Sequence, residues 1–475
     1  MSNALDPRSA PLIDEDRIST YSQPEHADLH RLEGVRSLGC LQRLFRRPEK
    51  GSMRTMITTW FRICIGVGIM ALPKYIEGFG LALGIAMIVL AGFISIFAYA
   101  AIFEARDRVG AQDLISTVGG VLGPRFHKAA KATMVLDQFF AVLIHVVISW
   151  NLMCYIIIFF DGRLWNFITP DMWEDIKTYS LKQYHPEIFR LRAIFFSVLW
   201  VLLIPLFLKK KMESLKGLSL GYLVLLFLLV GVVVAEGPSF RAAYTSRGDY
   251  AIDYTWTAPN FKWLFYFFSV LLGFYCQSYV IHLRNELLHP TPQRLSKALR
   301  ITMGSEMVLY VCFGGFAYFC FGRGHIPDLI FLRKPFEGKA TDTVLQVAVM
   351  MFFVFNTVSL PVYTSGLREN LVRITGVNTD KAYYLNSLVP SFLVHVICIL
   401  YPDIIAIFGL TGTTLYYFNG YFLPFKMKAT LLRQENRTTL ATAIDVANYT
   451  MMALGWLVFA VEIYTQIYPD KKLAS

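Results

Sequence analysis

Apolar residues run along the chain in blocks of roughly 18 to 25 positions, each long enough to cross a hydrocarbon core of about 30 Å as a helix. Eleven such blocks are predicted, at 57–77, 80–103, 133–160, 191–208, 217–236, 262–283, 298–321, 343–367, 384–401, 404–425 and 446–468. The pattern predicts an all-α polytopic membrane protein with a polar tail at 1–55, a transmembrane domain at 56–470 and a short tail at 471–475. The first 50 residues contain no apolar run, so no cleavable signal peptide is expected and the first block directs insertion. Within 29–45, Leu29, Leu32, Val35, Leu38, Leu41 and Leu44 recur at helical spacing among Arg31, Arg36 and Arg43. That spacing suits either a basic amphipathic helix on the membrane face or a solvated, partly helical arm.

Composition supports the membrane assignment. Of 475 residues, 55% are hydrophobic and 17% charged, with mean hydropathy +0.46, whereas soluble domains average about 25% charged residues. The net charge of +11 needs no nucleic acid, because lysines and arginines flanking membrane helices account for it. The connectors 104–132, 209–216, 284–297, 368–383 and 426–437 hold nineteen of them, more than the alternate connectors hold. This bias puts the N-terminus in the cytoplasm and, with eleven spans, the C-terminus on the far side. The sequon at Asn436 then lies inside, and a glycan there would contradict the orientation. Six of the seven cysteines (64, 154, 276, 312, 320 and 398) sit inside apolar blocks, which predicts small buried residues with no disulfide framework and no metal site.

Two blocks are irregular in their middle. The first reads WFRICIGVGIMALPKYIEGFG, with Arg62, Gly66, Gly68 and Pro73; the sixth has Gly273-Phe274-Tyr275-Cys276-Gln277-Ser278-Tyr279 inside an apolar run. A helix broken at membrane depth frees backbone groups that must be met by protein or by a bound ligand. Glycines can equally serve close helix packing. One break opens each group of five blocks, the position expected of an inverted-repeat transporter with its site at the midplane.

GVGIMALP at 66–73 resembles the first-helix signature of the amino acid/auxin permease family, within the amino acid–polyamine–organocation superfamily. Three further stretches are similar to that family in order and spacing. They are YVIHLRNELLHPTPQRLSKA with Glu286 and Pro290, VYTSGLRENL at 362–371, and YPDIIAIFGLTGTTLYYFNGYFLPFKMKA at 401–429. The match covers roughly 55–470 and excludes the tail. The resemblance implies a leucine-transporter-type fold, a five-plus-five inverted repeat with discontinuous helices one and six and one extra helix. It also implies secondary transport of amino acids or close relatives, with no cofactor. On this resemblance, N–H groups at Gly66, Val67, Gly68 and Ile69 would hold a substrate carboxylate. Cys276, Gln277 and Ser278 would meet the amino group, Asn151 and Tyr155 would line a side pocket, and Asn356, Thr357 and Ser359 would close the coupling-ion region.

Arg62 bears on energy coupling. Sodium-coupled members of the resembled family carry an uncharged oxygen ligand at that place, and a guanidinium cannot coordinate sodium or lose its charge. Arg62 acts either as a fixed cation there or as a side chain reaching the inner interface. Proton coupling or no coupling is therefore expected ahead of sodium coupling. Asp137, His145 and Glu306, ionisable residues at membrane depth, are candidate proton carriers.

Other functions fit less well. Gly217-Leu218-Ser219-Leu220-Gly221 matches G-x-S-x-G, but a nucleophile needs a strained turn and Ser219 opens a smooth span. No enzyme is expected. A nutrient sensor on a transporter fold is the alternative, left open by the long tail. The partners implied are an amino acid and the bilayer, without nucleic acid. The membrane, plasma or vacuolar/lysosomal, and the amino acid itself are not legible.

Overall fold

The computed structural model describes residues 51–66, 68–160, 186–208, 216–246, 255–257, 262–323, 326–332, 340–377, 379–401 and 403–467. The expectations for the tails at 1–50 and 471–475, for Val67, and for the side chains of Arg62, Tyr155, Ser219 and Glu286 fall outside the described residues. Fifteen α-helices are described and no strand is present among these residues. They are α1 (Met53–Cys64), α2 (Gly68–Phe79), α3 (Leu81–Val109), α4 (Leu114–Leu122), α5 (Pro124–Phe160), α6 (Pro186–Phe207), α7 (Lys216–Ser246) and α8 (Lys262–Gly273). The remainder are α9 (Gln277–Glu286), α10 (Pro292–Phe321), α11 (Ala340–Thr375), α12 (Asp380–Leu400), α13 (Ile404–Thr411), α14 (Leu423–Gln434) and α15 (Thr438–Ile467). Between α13 and α14 the chain widens into two π turns, Gly412–Tyr416 and Phe418–Phe422.

The apolar blocks fall largely on helix, interrupted after Cys64 in the first and at 274–276 in the sixth. Eight described stretches, the broken sixth among them, are long and apolar enough to cross a membrane. The first block is not among the eight because it is two helices of 12 residues each. Helix α6 contributes only the shorter apolar stretch Arg192–Phe207. Several boundaries shift outward from the apolar blocks, because polar turns at a membrane surface continue a helix at little cost. The connector 104–132 contains α4 and the start of α5, which begins at Pro124, where the missing N–H is harmless. Helix α7 runs 31 residues, through Pro238, and α15 starts at Thr438. No strained turn interrupts α7 at Ser219, which a nucleophile elbow would need.

Helix ends follow from side chains that satisfy orphan amides. Ser52, Asp113, Thr291, Thr379 and Asp403 each accept a hydrogen bond from the backbone three residues on. Gly110 closes α3 in the left-handed region at φ 73°, where a side chain would be strained. The apolar core centres on the first, third, sixth and tenth segments, with Trp60, Trp150, Phe268, Phe274 and Tyr421 fully buried. The ring of Trp60 meets Tyr99 edge-on at 5.2 Å and Phe103 at 6.0 Å. Leu90, Phe93, Phe97, Val201 and Leu202 are exposed on the outside, as helices facing lipid require. Cys312 is among the exposed residues, a correction to the expectation that the intramembrane cysteines are all buried; Cys64, Cys276, Cys320 and Cys398 are buried.

Candidate functional site: two helix breaks that meet

The first segment stops being helical at Cys64. Ile65 N–H still reaches Phe61 O at 3.0 Å, but Ile65 leaves helical geometry and Gly66 N–H turns back to Cys64 O at 2.9 Å. Helix restarts at Gly68, and Ile69 N–H reaches Gly66 O only at 3.4 Å. A new helix start leaves its first-turn amides without partners in the helix, and the end before it leaves carbonyls in the same condition. A Cβ added at Gly66 would have no neighbour within 4 Å, so open space lies beside the break.

The sixth segment breaks at Phe274-Tyr275-Cys276, and helix resumes at Gln277. The two breaks are adjacent. A Cβ at Gly68 would sit 3.6 Å from the Gly273 Cα, and the Cys64 and Cys276 sulfurs are 2.7 Å apart. Gly66, Gly68, Ile69, Cys276, Gln277 and Ser278 are thus gathered in one region. Gln277 is fully buried, and neither its amide nor the Ser278 hydroxyl has a hydrogen-bond partner among the described residues.

Three tyrosines stitch the sixth break. The Tyr99 hydroxyl donates to Phe274 O at 2.9 Å and accepts from Cys276 N–H at 2.9 Å. Tyr310 donates to Gly273 O at 2.9 Å, and Tyr421 donates to Leu271 O at 2.7 Å. Backbone groups freed by the break thereby find partners without water, as the membrane interior demands. Sequence reasoning missed all three. The signal was present, since a tyrosine inside an apolar span carries a hydroxyl that must be satisfied.

The other expected residues are arranged around this centre. Asp137, buried on α5, accepts from the Tyr275 hydroxyl at 2.8 Å, so it touches the sixth break directly. Glu306 is fully buried on α10, one turn before Tyr310 on the same face, with neither carboxylate oxygen hydrogen-bonded among the described residues. His145 lies elsewhere, between α5 and α11. Its Nδ1 is 2.9 Å from Asn356 Oδ1, and its ring stacks on Tyr363 at 3.9 Å. The Asn356 amide donates to His145 O and to Ser149 Oγ, both at 2.9 Å, so its polar atoms are fully engaged with α5. Thr357 reaches Ser149 at 3.5 Å, and Ser359 bonds back to Phe355 O at 2.7 Å. Asn151 donates to Val147 O within its own helix. The break region is lined by backbone and uncharged polar groups, with carboxylates behind them. Among the described residues no three His, Cys, Asp or Glu side chains group as metal ligands.

Two helices broken side by side, the sixth stitched by neighbouring tyrosines and the first with open space beside it, fit the core of a transporter fold. The profile of the transmembrane amino acid transporter protein family matches residues 49–468. The chain belongs to that family. It is similar to the amino acid transporter AVT6E of Arabidopsis thaliana, 21% identical over 425 residues that cover 85% of this chain and 81% of the relative. Among solved structures it is similar to MhsT in complex with L-phenylalanine, with a TM-score of 0.52 and 13% identity over 89% of this chain and 99% of the other. That likeness shows the fold, the leucine-transporter type. The transporter is an integral, multi-pass membrane protein of the amino acid transport class.

Proposed function

We propose that the chain is a secondary active transporter that moves amino acids by alternating access, coupled to protons or uncoupled, with its substrate held where the two breaks meet. The contact between Gly68 and Gly273 carries the reading, since it brings a helix end and a helix start to one point at membrane depth. The carbonyl end of α1 bears partial negative charge and the amide end of α2 partial positive charge. An α-amino acid is a zwitterion, so its ammonium suits the first and its carboxylate the second. The carboxylate would take the N–H groups around Gly66, Val67, Gly68 and Ile69, displacing the bonds by which Gly66 N–H and Ile69 N–H reach Cys64 O and Gly66 O. The amino group would lie toward α1, Cys276, Gln277 and Ser278, because Tyr99 and Tyr310 already occupy the carbonyls of Phe274 and Gly273. A neighbour solved with L-phenylalanine and a relative called an amino acid transporter support this substrate class.

Protons are favoured over sodium because Asn356 spends its oxygen and both amide hydrogens on α5 and so keeps no free oxygen for a sodium ion. On the family resemblance Arg62 stands where sodium-coupled members carry an uncharged oxygen ligand, and a guanidinium there would not serve sodium. On this reading the N-terminus would lie in the cytoplasm and the C-terminus on the extracytoplasmic side of a plasma or vacuolar/lysosomal membrane, as the Lys and Arg bias of the connectors supports. Uptake of an amino acid panel into proteoliposomes, with sodium and pH gradients imposed separately, tests the reading. Uptake driven by the pH gradient and indifferent to sodium is expected, and His145→Gln should abolish accumulation against a gradient while exchange persists. Sodium-driven flux unaffected by pH would refute proton coupling, and binding without flux would favour the sensor.

A further inference from the structure

We propose that Cys64 and Cys276 form a reversible dithiol–disulfide pair that clasps the two broken helices together and arrests the transport cycle when oxidised. The clasp rests on the transport reading for its consequence, though not for its chemistry.

Both residues stand at the breaks themselves. Cys64 is the last residue of α1 and Cys276 the residue before α9, and their thiols lie 2.7 Å apart. A disulfide has sulfurs about 2.05 Å apart, so closing the bond requires a movement of well under 1 Å. The pair is held in place rather than meeting by chance. Tyr99 contacts the Cys276 sulfur at 3.1 Å as well as its amide at 2.9 Å, and Trp60, one turn before Cys64, packs on the Tyr99 ring. Both sulfurs are screened from lipid, since Cys64 is 5% and Cys276 1% exposed. A Cβ built at Gly66, two residues from Cys64, would meet nothing within 4 Å, so the chain beside the pair is not closely packed.

The oxidant is a hydroperoxide. Two thiols and one hydroperoxide yield one disulfide, one alcohol (water from hydrogen peroxide) and one water. The S–S bond forms, the O–O bond and both S–H bonds break, the sulfurs lose two electrons to the peroxide oxygens, and the thiol protons leave on those oxygens. A dithiol reductant reverses the change by thiol–disulfide exchange. The mechanical effect follows from the far ends of the same helices, where Leu288 N–H already donates to Gly51 O at 2.9 Å. A bond at the near end would tie α1 to α9 at both ends, so neither half-helix could swing without the other. Alternating access by rigid-body rearrangement of one bundle against another requires such freedom.

The test uses the full chain in proteoliposomes, treated with hydrogen peroxide and then with dithiothreitol. Crosslinked peptides are mapped by mass spectrometry, thermal unfolding is followed, and uptake is expressed as the oxidised-to-reduced ratio within each variant. Expected are a Cys64–Cys276 crosslink, a raised Tm from closing a 212-residue loop, and a fall in uptake of about tenfold or more, reversed by reduction. Cys64→Ser and Cys276→Ser should each hold that ratio near one, whatever their basal rates. Peroxide treatment that leaves both thiols unlinked would overturn the proposal, as would a crosslink with an unchanged uptake ratio. A reduced protein that carries no amino acid would instead refute the transport reading. The clasp would then be judged on the crosslink and the Tm shift, neither of which needs flux.

Discussion

Tyr99 shows how much one hydroxyl can hold. It is 175 positions from Phe274, yet it supplies the partner for that residue's carbonyl and for the Cys276 amide at once. An interhelical hydrogen bond in a membrane protein averages roughly 0.6 kcal/mol. Tyr99→Phe should cost more, about 2 kcal/mol, because two buried backbone groups lose their partner together and the break provides no helical alternative. The ring would stay packed on Trp60, so the loss isolates the hydroxyl. A lowered Tm in detergent, with uptake reduced at saturating substrate, is the expected outcome. A variant as stable and active as the parent would show that the break relaxes onto other partners. The breaks themselves were half legible, since glycines inside an apolar run suit either a break or close packing, and Pro205, Pro238, Pro361 and Pro390 interrupt no helix. Their stitches were not, because no local pattern joins Tyr99, Tyr310 and Tyr421 to one stretch of backbone.

At the scale of elements, the tenth segment is the part least visible from sequence. GLTGTTLYYFNG is apolar enough for a helix, and nothing in its periodicity distinguishes an α turn from the two π turns that form. Wide turns of this kind are frequent at functional sites, and here they face the sixth segment. A Cβ at Gly412 would come within 2.9 Å of Phe268 O, and one at Gly420 within 2.6 Å of the Tyr275 ring and 3.2 Å of Gln277 Oε1. These glycines let the tenth segment close against the sixth. The Tyr275 ring is pinned at its other end by Asp137, at 2.8 Å, so it has little room to yield. Gly420→Ala should therefore behave as an overpacked core substitution costing about 1–3 kcal/mol, seen as a lower Tm. It should also weaken uptake more than Gly231→Ala on α7, where an added Cβ meets nothing within 4 Å. Equal effects at the two positions would count against the packing argument. The eleven apolar blocks were legible because lipid imposes a length and a composition on anything that crosses it. The ends of α5, α7 and α15 were not, since helices outlast their apolar portions in polar surroundings.

For the whole molecule, the charges that fixed the expected orientation also bind one end of the bundle together. Counting lysines and arginines treated them as a field, but several are paired with acids on other segments. Glu104 and Lys428 are 2.6 Å apart, Asp107 is paired with Arg284, Arg108 is paired with Glu435, and Asp445 accepts from Lys426 at 3.0 Å and from Arg433. These pairs join the end of α3 to α9 and α14, and α14 to α15. Isolated surface ion pairs contribute about 0–1 kcal/mol; that of Arg284 is partly buried, with its side chain 8% exposed. In a transporter such a pair acts on a balance between conformations, where about 1 kcal/mol changes a ratio roughly fivefold. Because Arg284 lies in the last turn of α9, breaking the pair should free the half-helix that carries Cys276 at its other end. Arg284→Asp and Asp107→Arg should each raise the rate at which a water-soluble thiol reagent labels Cys276, by about fivefold, and each should depress uptake. The exchanged pair, carrying both substitutions, should return both quantities toward the parent values. Restoration would assign the effect to the pair, and a double variant as impaired as the two single changes combined would assign it to the separate side chains.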